Sequence, residues 1–434
     1  MYDLAVIGAG WAGFNAAIRA RELGLKVALI EKDKVGGTCL NRGCIPTKAL
    51  IQSAKIYSQA KKSANFGIEG NNPQVNFFKI QERKDKIVQQ LQNGMQFRLK
   101  GIDFLNGQAQ IFSPQVIKVG SELINTKFIL VATGSRPVEL GELKFDGKKI
   151  ISSDEILNLR EIPKSLLIIG GGVIGCEFAS LFSALGSSVA IVELMPQILP
   201  GIDKEVTRKL ENIFKKKGIK VSTATDAKSV DLKDYDLVLL SIGRQAETKD
   251  LSLEKFGVKL EKGKILVDEY LKTSVSNIYA AGDCTGQIML AHFAAYQGCV
   301  AAENIAHPDK PKKAQNTNIP NCIFTDPEIA SVGLSQEEAL GLGLDARIDK
   351  FDFLGSGMAR ILDETEGFVK IISDKENEQI LGVSIIGPRS TELIGILTLA
   401  MQSRLKISQI RDTVFAHPTL SESIREAVKT DYAV

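Results

Sequence analysis

The sequence predicts an α/β protein in which two Rossmann-like dinucleotide-binding domains are followed by a C-terminal α+β domain. Three observations predict it. A strand–glycine–helix–strand pattern opens the chain and returns near its middle. After a connection rich in Lys, Pro and Asn at residues 310–316, the sequence turns to alternating apolar stretches with no nucleotide signature.

Residues 4–7 read as a buried strand, followed by Gly8-Ala9-Gly10-Trp11-Ala12-Gly13, a helical pattern to Leu23, a turn at Gly24, and a strand over 27–30 that ends in Glu31. A glycine motif alone would be weak evidence, but the flanking strands and the terminal acid complete a βαβ fingerprint. Gly8, Gly10 and Gly13 allow a tight turn and the close approach of a pyrophosphate to a helix N-terminus, and Glu31 is placed to accept hydrogen bonds from a ribose. The second copy runs from a strand at 166–169 through Gly170-Gly171-Gly172-Val173-Ile174-Gly175 and a helix to Leu185, then to a strand at 189–192 ending in Glu193. Each glutamate lies 23 residues after the first glycine of its motif. Leu194, Met195 and Pro196 follow the second acid, with no Lys or Arg for a 2′-phosphate, so this site should prefer NAD to NADP.

Between the two units, residues 54–62 and 79–100 look helical, and 109–129 reads as an antiparallel excursion leading to Ala132-Thr133-Gly134. A second strand-to-glycine ending, Ala281-Gly282-Asp283, comes after the second unit, with a helix starting near His292. The first domain is therefore expected to be discontinuous, occupying 1–147 and 266–312, with the second inserted at 148–265 and the C-terminal domain at 313–434. That last domain, with a strand at 380–386 and a helix at 391–404, is left with assembly as its obvious task.

Cys39 and Cys44 stand within Gly36-Gly37-Thr38-Cys39-Leu40-Asn41-Arg42-Gly43-Cys44-Ile45-Pro46-Thr47-Lys48. On an ideal helix five residues separate Cα atoms by roughly 9 Å, beyond the disulfide limit of about 7 Å. If these cysteines pair, the backbone must leave helical geometry, which Gly36, Gly37 and Gly43 make cheap. A short loop gains little from a staple, so such a pair reads as redox-active. Lys48 would share a helix face with Cys44 and favour its thiolate. Half a zinc site and two inert thiols are the competing readings; no neighbouring His or second Cys pair completes a tetrahedron, so no metal is expected.

Composition bounds the rest. With 434 residues, 44% hydrophobic content and a net charge of +3 from mixed charges, the chain holds several cored domains and has no basic stripe for nucleic acid. Six scattered cysteines are no secreted disulfide framework. The first strand starts at once, leaving no room for a leader, and the uncharged run 178–192 is too short for a bilayer, so a cytoplasmic location without membrane contact is expected.

Taken together, the redox stretch 36–48, the paired fingerprints, Ala132-Thr133-Gly134, Ala281-Gly282-Asp283, Thr325-Asp326-Pro327-Glu328 and His417-Pro418-Thr419 with Glu422 resemble the FAD-dependent pyridine nucleotide disulfide oxidoreductases over essentially the whole chain. The resemblance implies FAD at the first fingerprint, NAD at the second, and a C-terminal domain that pairs two subunits into a homodimer. It implies that Cys39 exchanges with substrate and Cys44 faces the flavin. Lys48 would stand beside the flavin paired with Glu177, Asp283 would hold the ribityl chain, and His417 with Glu422 would supply a base from the partner subunit. Read alone, Glu177 is a helix-surface charge, Asp283 a turn residue, and Glu422 the closing member of a capping box begun by Thr419.

The lipoamide-type members fit best, which implies a lipoyl-bearing partner from a 2-oxoacid dehydrogenase or glycine cleavage complex. Glutathione-type and mercuric-type reductases are the alternatives; Glu193 and the aliphatic Val173 speak against the first, and the lack of a C-terminal cysteine pair against the second. Three departures from the family stand out: little room for an antiparallel excursion between Lys220 and Leu240, a short tail after Glu422, and Trp11 where small residues or Pro are usual.

Overall fold

The computed structural model describes residues 1–70, 73–141 and 143–429. Its first sheet runs in the order Asp103–Asn106, Val27–Glu31, Tyr2–Ile7, Glu122–Val131, all parallel. Strand Ile278–Ala280 returns from far along the chain to pair parallel with the end of Glu122–Val131, while Val116–Val119 and Ala109–Ser113 extend its other half antiparallel. Val27–Glu31 is buried at every position because both sheet faces are covered, which is why it reads as an unbroken apolar run. Helix Trp11–Glu22 packs on Ala291–Ala306, and the approach is close: a Cβ at Gly298 would sit 2.1 Å from the Ala12 carbonyl oxygen.

The second sheet is wholly parallel, in the order Lys220–Ser222, Ser188–Val192, Ser165–Ile169, Leu237–Leu240, Ile150–Ile151. Between its first-named strand and Leu237–Leu240 the chain makes only two short 3₁₀ turns, Ala227–Ser229 and Leu232–Asp234. This is the shortened connection expected between Lys220 and Leu240. The third sheet is antiparallel, Asn321–Ile323, Glu328–Gly333, Ile380–Gly387, Phe368–Asp374, Ala346–Asp352, with helix Ser390–Gln402 against it.

Two contacts lock the units together. Strand Ser135–Pro137 pairs antiparallel with Arg244–Ala246 across the first and second units. Lys370 of the third sheet, 1% exposed, reaches Asp203 at 2.9 Å and Glu205 at 3.2 Å on the first turn of a helix in the second unit. Breaking such a buried pair from one side strands a charge.

Helix boundaries differ from the sequence reading. The helix expected at 54–62 begins at Cys44 and runs to Lys61, because Pro46 lies in its first turn, where the missing N–H costs nothing. The one expected at 79–100 is Phe77–Arg98, started by the Asn76 side chain accepting from the Lys79 N–H.

Candidate active site

The two cysteines are brought together by a broken helix. Helix Gly37–Arg42 stops at Gly43 (φ −148°, ψ −115°), and Cys44–Lys61 starts anew in another direction. A side chain at Gly43 would press on the preceding turn, its Cβ 3.0 Å from the Thr38 carbonyl oxygen and 3.3 Å from the Cys39 Cα. Both cysteines are free thiols, hydrogen-bonded to each other. That bond splits them. Cys44, accepting from Cys39 and facing the Lys48 ammonium, titrates at about 7, against the opposing effects of burial and Glu177. Cys39, beside Cys44 and half-buried, is pushed well above the ordinary thiol range, the neighbouring sulfur contributing most. The pair therefore favours a negative charge on Cys44 over one on Cys39.

Lys48 is held in turn. Its Nζ donates to both Glu177 oxygens at 2.9 and 2.8 Å, and the Phe324 N–H donates to the same carboxylate at 2.9 Å. Glu177 is no surface charge: it is 3% exposed, on helix Val173–Ala184 of the second unit. One carboxylate thus joins the cysteine helix, the second unit and the segment leading out of strand Asn321–Ile323, and the ammonium also sits 4.7 Å above the Phe324 ring.

The two glycine turns have the same construction. At Gly8 (φ +101°) a Cβ would lie 2.4 Å from the Ala132 carbonyl oxygen, and at Gly170 (φ +104°) 2.5 Å from that of Ser241, so only glycine fits either turn. Gly13 and Gly175 face the carbonyl oxygens of Gly8 and Gly170, while Gly10 and Gly172 stand at the N-caps of helices Trp11–Glu22 and Val173–Ala184. Glu31 accepts from the Ala9 N–H at 2.7 Å and the Asp33 N–H at 2.9 Å; Glu193 accepts from Gly171 and Met195, both at 2.7 Å. Each acid braces its own turn and keeps further lone pairs for a ribose. Thr133 donates to the Glu247 carbonyl and Gly134 accepts from the Glu247 N–H. Asp283 accepts from Ser135, which also receives the Arg244 guanidinium at 2.8 Å. A single cavity of about 1910 Å³ joins both turns, the cysteine pair, Lys48 and Asp283. Its volume and paired cradles fit two dinucleotides meeting near the sulfurs.

His417 stands apart. Its Nδ1 lies 2.9 Å from Glu422, whose other oxygen accepts from the Thr419 N–H, and these two bonds hold the carboxyl below its ordinary range, the backbone bond first. The capping box is only half present. The Thr419 hydroxyl donates to the Ala416 carbonyl and meets Ser421 instead, so the helix Glu422–Ala427 starts with Ser421 as its N-cap. The ring is 80% exposed, and His417 is not among the residues lining the cavity that holds Cys39. The sequence reading missed Ser135, Arg244 and Phe324. Arg244 directly after the glycine that ends strand Leu237–Leu240 was the available signal; Ser135 and Phe324 act through contacts far along the chain.

Two dinucleotide cradles meeting at a dithiol define an oxidoreductase that moves electrons between thiols and a pyridine nucleotide. The chain belongs to the pyridine nucleotide-disulphide oxidoreductase family, whose main part matches residues 2–298 and whose dimerisation domain matches 319–428. It is 40% identical to a dihydrolipoyl dehydrogenase of Bacillus subtilis, covering 98% of this chain and 97% of that one. It is 42% identical to a dihydrolipoyl dehydrogenase of Chlamydia pneumoniae, covering 97% and 95%. Among solved structures it resembles the HOCl-induced flavoprotein disulfide reductase RclA from Escherichia coli, with a TM-score of 0.89 at 29% identity over 99% of this chain and 100% of that one. The cofactors are FAD and NAD. Among the described residues no helix is long and apolar enough to cross a membrane.

The second cradle carries a prediction. Lys228 lines the cavity beside Glu193, arriving from the 3₁₀ turn Ala227–Ser229, but Glu193 itself repels a 2′-phosphate. NAD should exceed NADP in kcat/KM by about a hundredfold, given the several kcal/mol at stake for an unpaired buried charge. Parity between the nucleotides would contradict this.

Proposed function

We propose that the chain oxidises the dihydrolipoyl group carried by a partner protein, in the manner of its dihydrolipoyl dehydrogenase relatives, and delivers the electrons to NAD. The observation that carries this reading is the placing of Cys39 and Cys44 by the break at Gly43, beside Lys48, in the cavity that joins the two dinucleotide turns. In the oxidised pair a substrate thiolate attacks Cys39, the Cys39–Cys44 bond breaks, and Cys44 leaves as a thiolate favoured by Lys48. The second substrate thiol, once deprotonated, displaces Cys39 and closes the substrate disulfide. Cys39 leaves as a thiolate and takes up a proton, which its raised pKa favours. FAD held in the first cradle would supply a two-electron acceptor between the cysteine pair and NAD. Lys48 and Glu177 orient one another beside that transfer, Thr133, Gly134 and Asp283 hold the flavin side, and Glu193 holds the nicotinamide nucleotide's ribose.

The protons need a base near neutrality, and His417 suits it, oriented by Glu422 through Nδ1 with Nε2 left free. Since His417 does not line the Cys39 cavity of its own chain, the base comes from a second copy in a homodimer. Support comes from the exposed apolar side chains nearby, Val414 at 93% and Leu399 at 68%, on the part matched by the dimerisation domain. A discontinuous first domain, with divisions at 147, 265 and 312, is supported by strand Ile278–Ala280 rejoining the first sheet. The lipoyl carrier would belong to a 2-oxoacid dehydrogenase or glycine cleavage complex in the cytoplasm.

Steady-state rates test the assignment. NAD with dihydrolipoamide should surpass NADPH with glutathione disulfide by about a hundredfold or more in kcat/KM. A faster second reaction would reverse the assignment.

A further inference from the structure

Trp11 is the single tryptophan of the chain and occupies the first helical position after the Gly8–Gly10 turn. Its ring lines the active-site cavity, yet its Nε1 is buried without a hydrogen-bond partner of regular geometry. A buried donor left unmet is costly, so an indole N–H held this way calls for an acceptor. The neighbouring backbone says which one. The Gly36 N–H donates to the Ala9 carbonyl at 2.8 Å, and a Cβ on Gly37 would lie 2.7 Å from the Gly10 Cα. The start of helix Gly37–Arg42 is thereby seated on the start of Trp11–Glu22, which brings Cys39 to the indole.

We propose that the indole N–H of Trp11 is the hydrogen-bond donor to the Cys39 sulfur when that sulfur is a thiolate, and so positions and activates it for exchange with substrate. The inference rests on the reading that Cys39 is the exchanging sulfur. As a neutral thiol the Cys39 sulfur is a weak acceptor, so the N–H has no well-formed bond; a thiolate is a much stronger acceptor and completes it. Consistently, Trp11 is one of two side chains that draw the Cys39 thiol downward against Cys44 and burial, the other being Lys48. Trp11 is thus a positioning residue whose effect falls on one sulfur of the pair.

The test uses the two-electron-reduced holoenzyme and iodoacetamide, with the modified cysteine identified by peptide mapping. In Trp11→Phe, which keeps a ring but removes the donor, alkylation of Cys39 at pH 7 should be roughly tenfold slower, because its thiolate is reached less often. The Cys44-dependent absorption band should keep its pH dependence. Alkylation at Cys39 at an unchanged rate would overturn the inference alone, whereas alkylation at Cys44 would overturn the assignment of the exchanging sulfur and this inference with it. A second measurement needs no change at Trp11: in ¹⁵N-labelled Cys44→Ser protein, where no second thiolate opposes Cys39, the single indole N–H resonance should shift downfield as Cys39 ionises, and should stay fixed over the same pH range in Cys39→Ser. An indole resonance that ignores Cys39 ionisation overturns the proposal.

Discussion

Replacing Cys44 by serine should reduce dihydrolipoamide oxidation at least a thousandfold and abolish the long-wavelength absorption that a Cys44 thiolate gives against bound FAD. Replacing Cys39 by serine should be equally inactivating but should leave a thiolate at Cys44, so the band should be present without any reductant. The difference follows from where the charge sits. Cys44, accepting from Cys39 and facing Lys48, titrates at about 7, so in the reduced enzyme the band should be full above that value and fade as the pH falls through it. Protonation removes the donor thiolate, and the folded site's lowered value sets the window. Absorption spectra of the two variants across pH check this, and equal loss of the band in both would contradict the division of roles.

His417→Ala should lower kcat by about a hundredfold to ten-thousandfold at neutral pH, the range typical of a lost general base. Glu422→Gln should be milder and move the pH profile. It removes the charge that orients Nδ1 while leaving the Thr419 N–H an acceptor. FAD content and the Cys44 band should be unchanged in both, because neither residue lines the cavity around Cys39. Pre-steady-state reduction by dihydrolipoamide is the direct readout, and a normal rate in His417→Ala would remove the base from the scheme.

Much of this was legible in the residues. The two fingerprints announced their strands, their helices and their closing acids, since each part of a βαβ unit is local and the burial of both sheet faces leaves an apolar run that can be read directly. The shortened connection between Lys220–Ser222 and Leu237–Leu240 was also visible, because there were too few residues for more. What escaped depends on contacts distant in sequence. Whether Glu177 is surface or core is decided by Phe324 and Lys48, which lie 147 and 129 residues away. The bonds that bind Asp283 to Ser135 and Arg244 likewise exist only once Arg244–Ala246 pairs with Ser135–Pro137. The cap at Thr419 failed for a local reason: its hydroxyl found the Ala416 carbonyl and Ser421 nearer than the helix N–H groups, and only the Glu422 half of the box formed. The opposite pKa shifts of Cys39 and Cys44 were beyond a sequence reading, because they follow from the break at Gly43 that sets the two sulfurs beside each other.

The shared site is tested most directly by mixing chains that are inactive for different reasons. Cys39→Ser and His417→Ala subunits, combined in equal amounts under conditions of subunit exchange, form mixed dimers in half of all pairings, each with one intact Cys39 facing one intact histidine of the other subunit. About a quarter of wild-type activity should return, because half the dimers then carry one working site of two. Exchange demonstrated by mass spectrometry with no recovered activity would contradict a base supplied across the dimer.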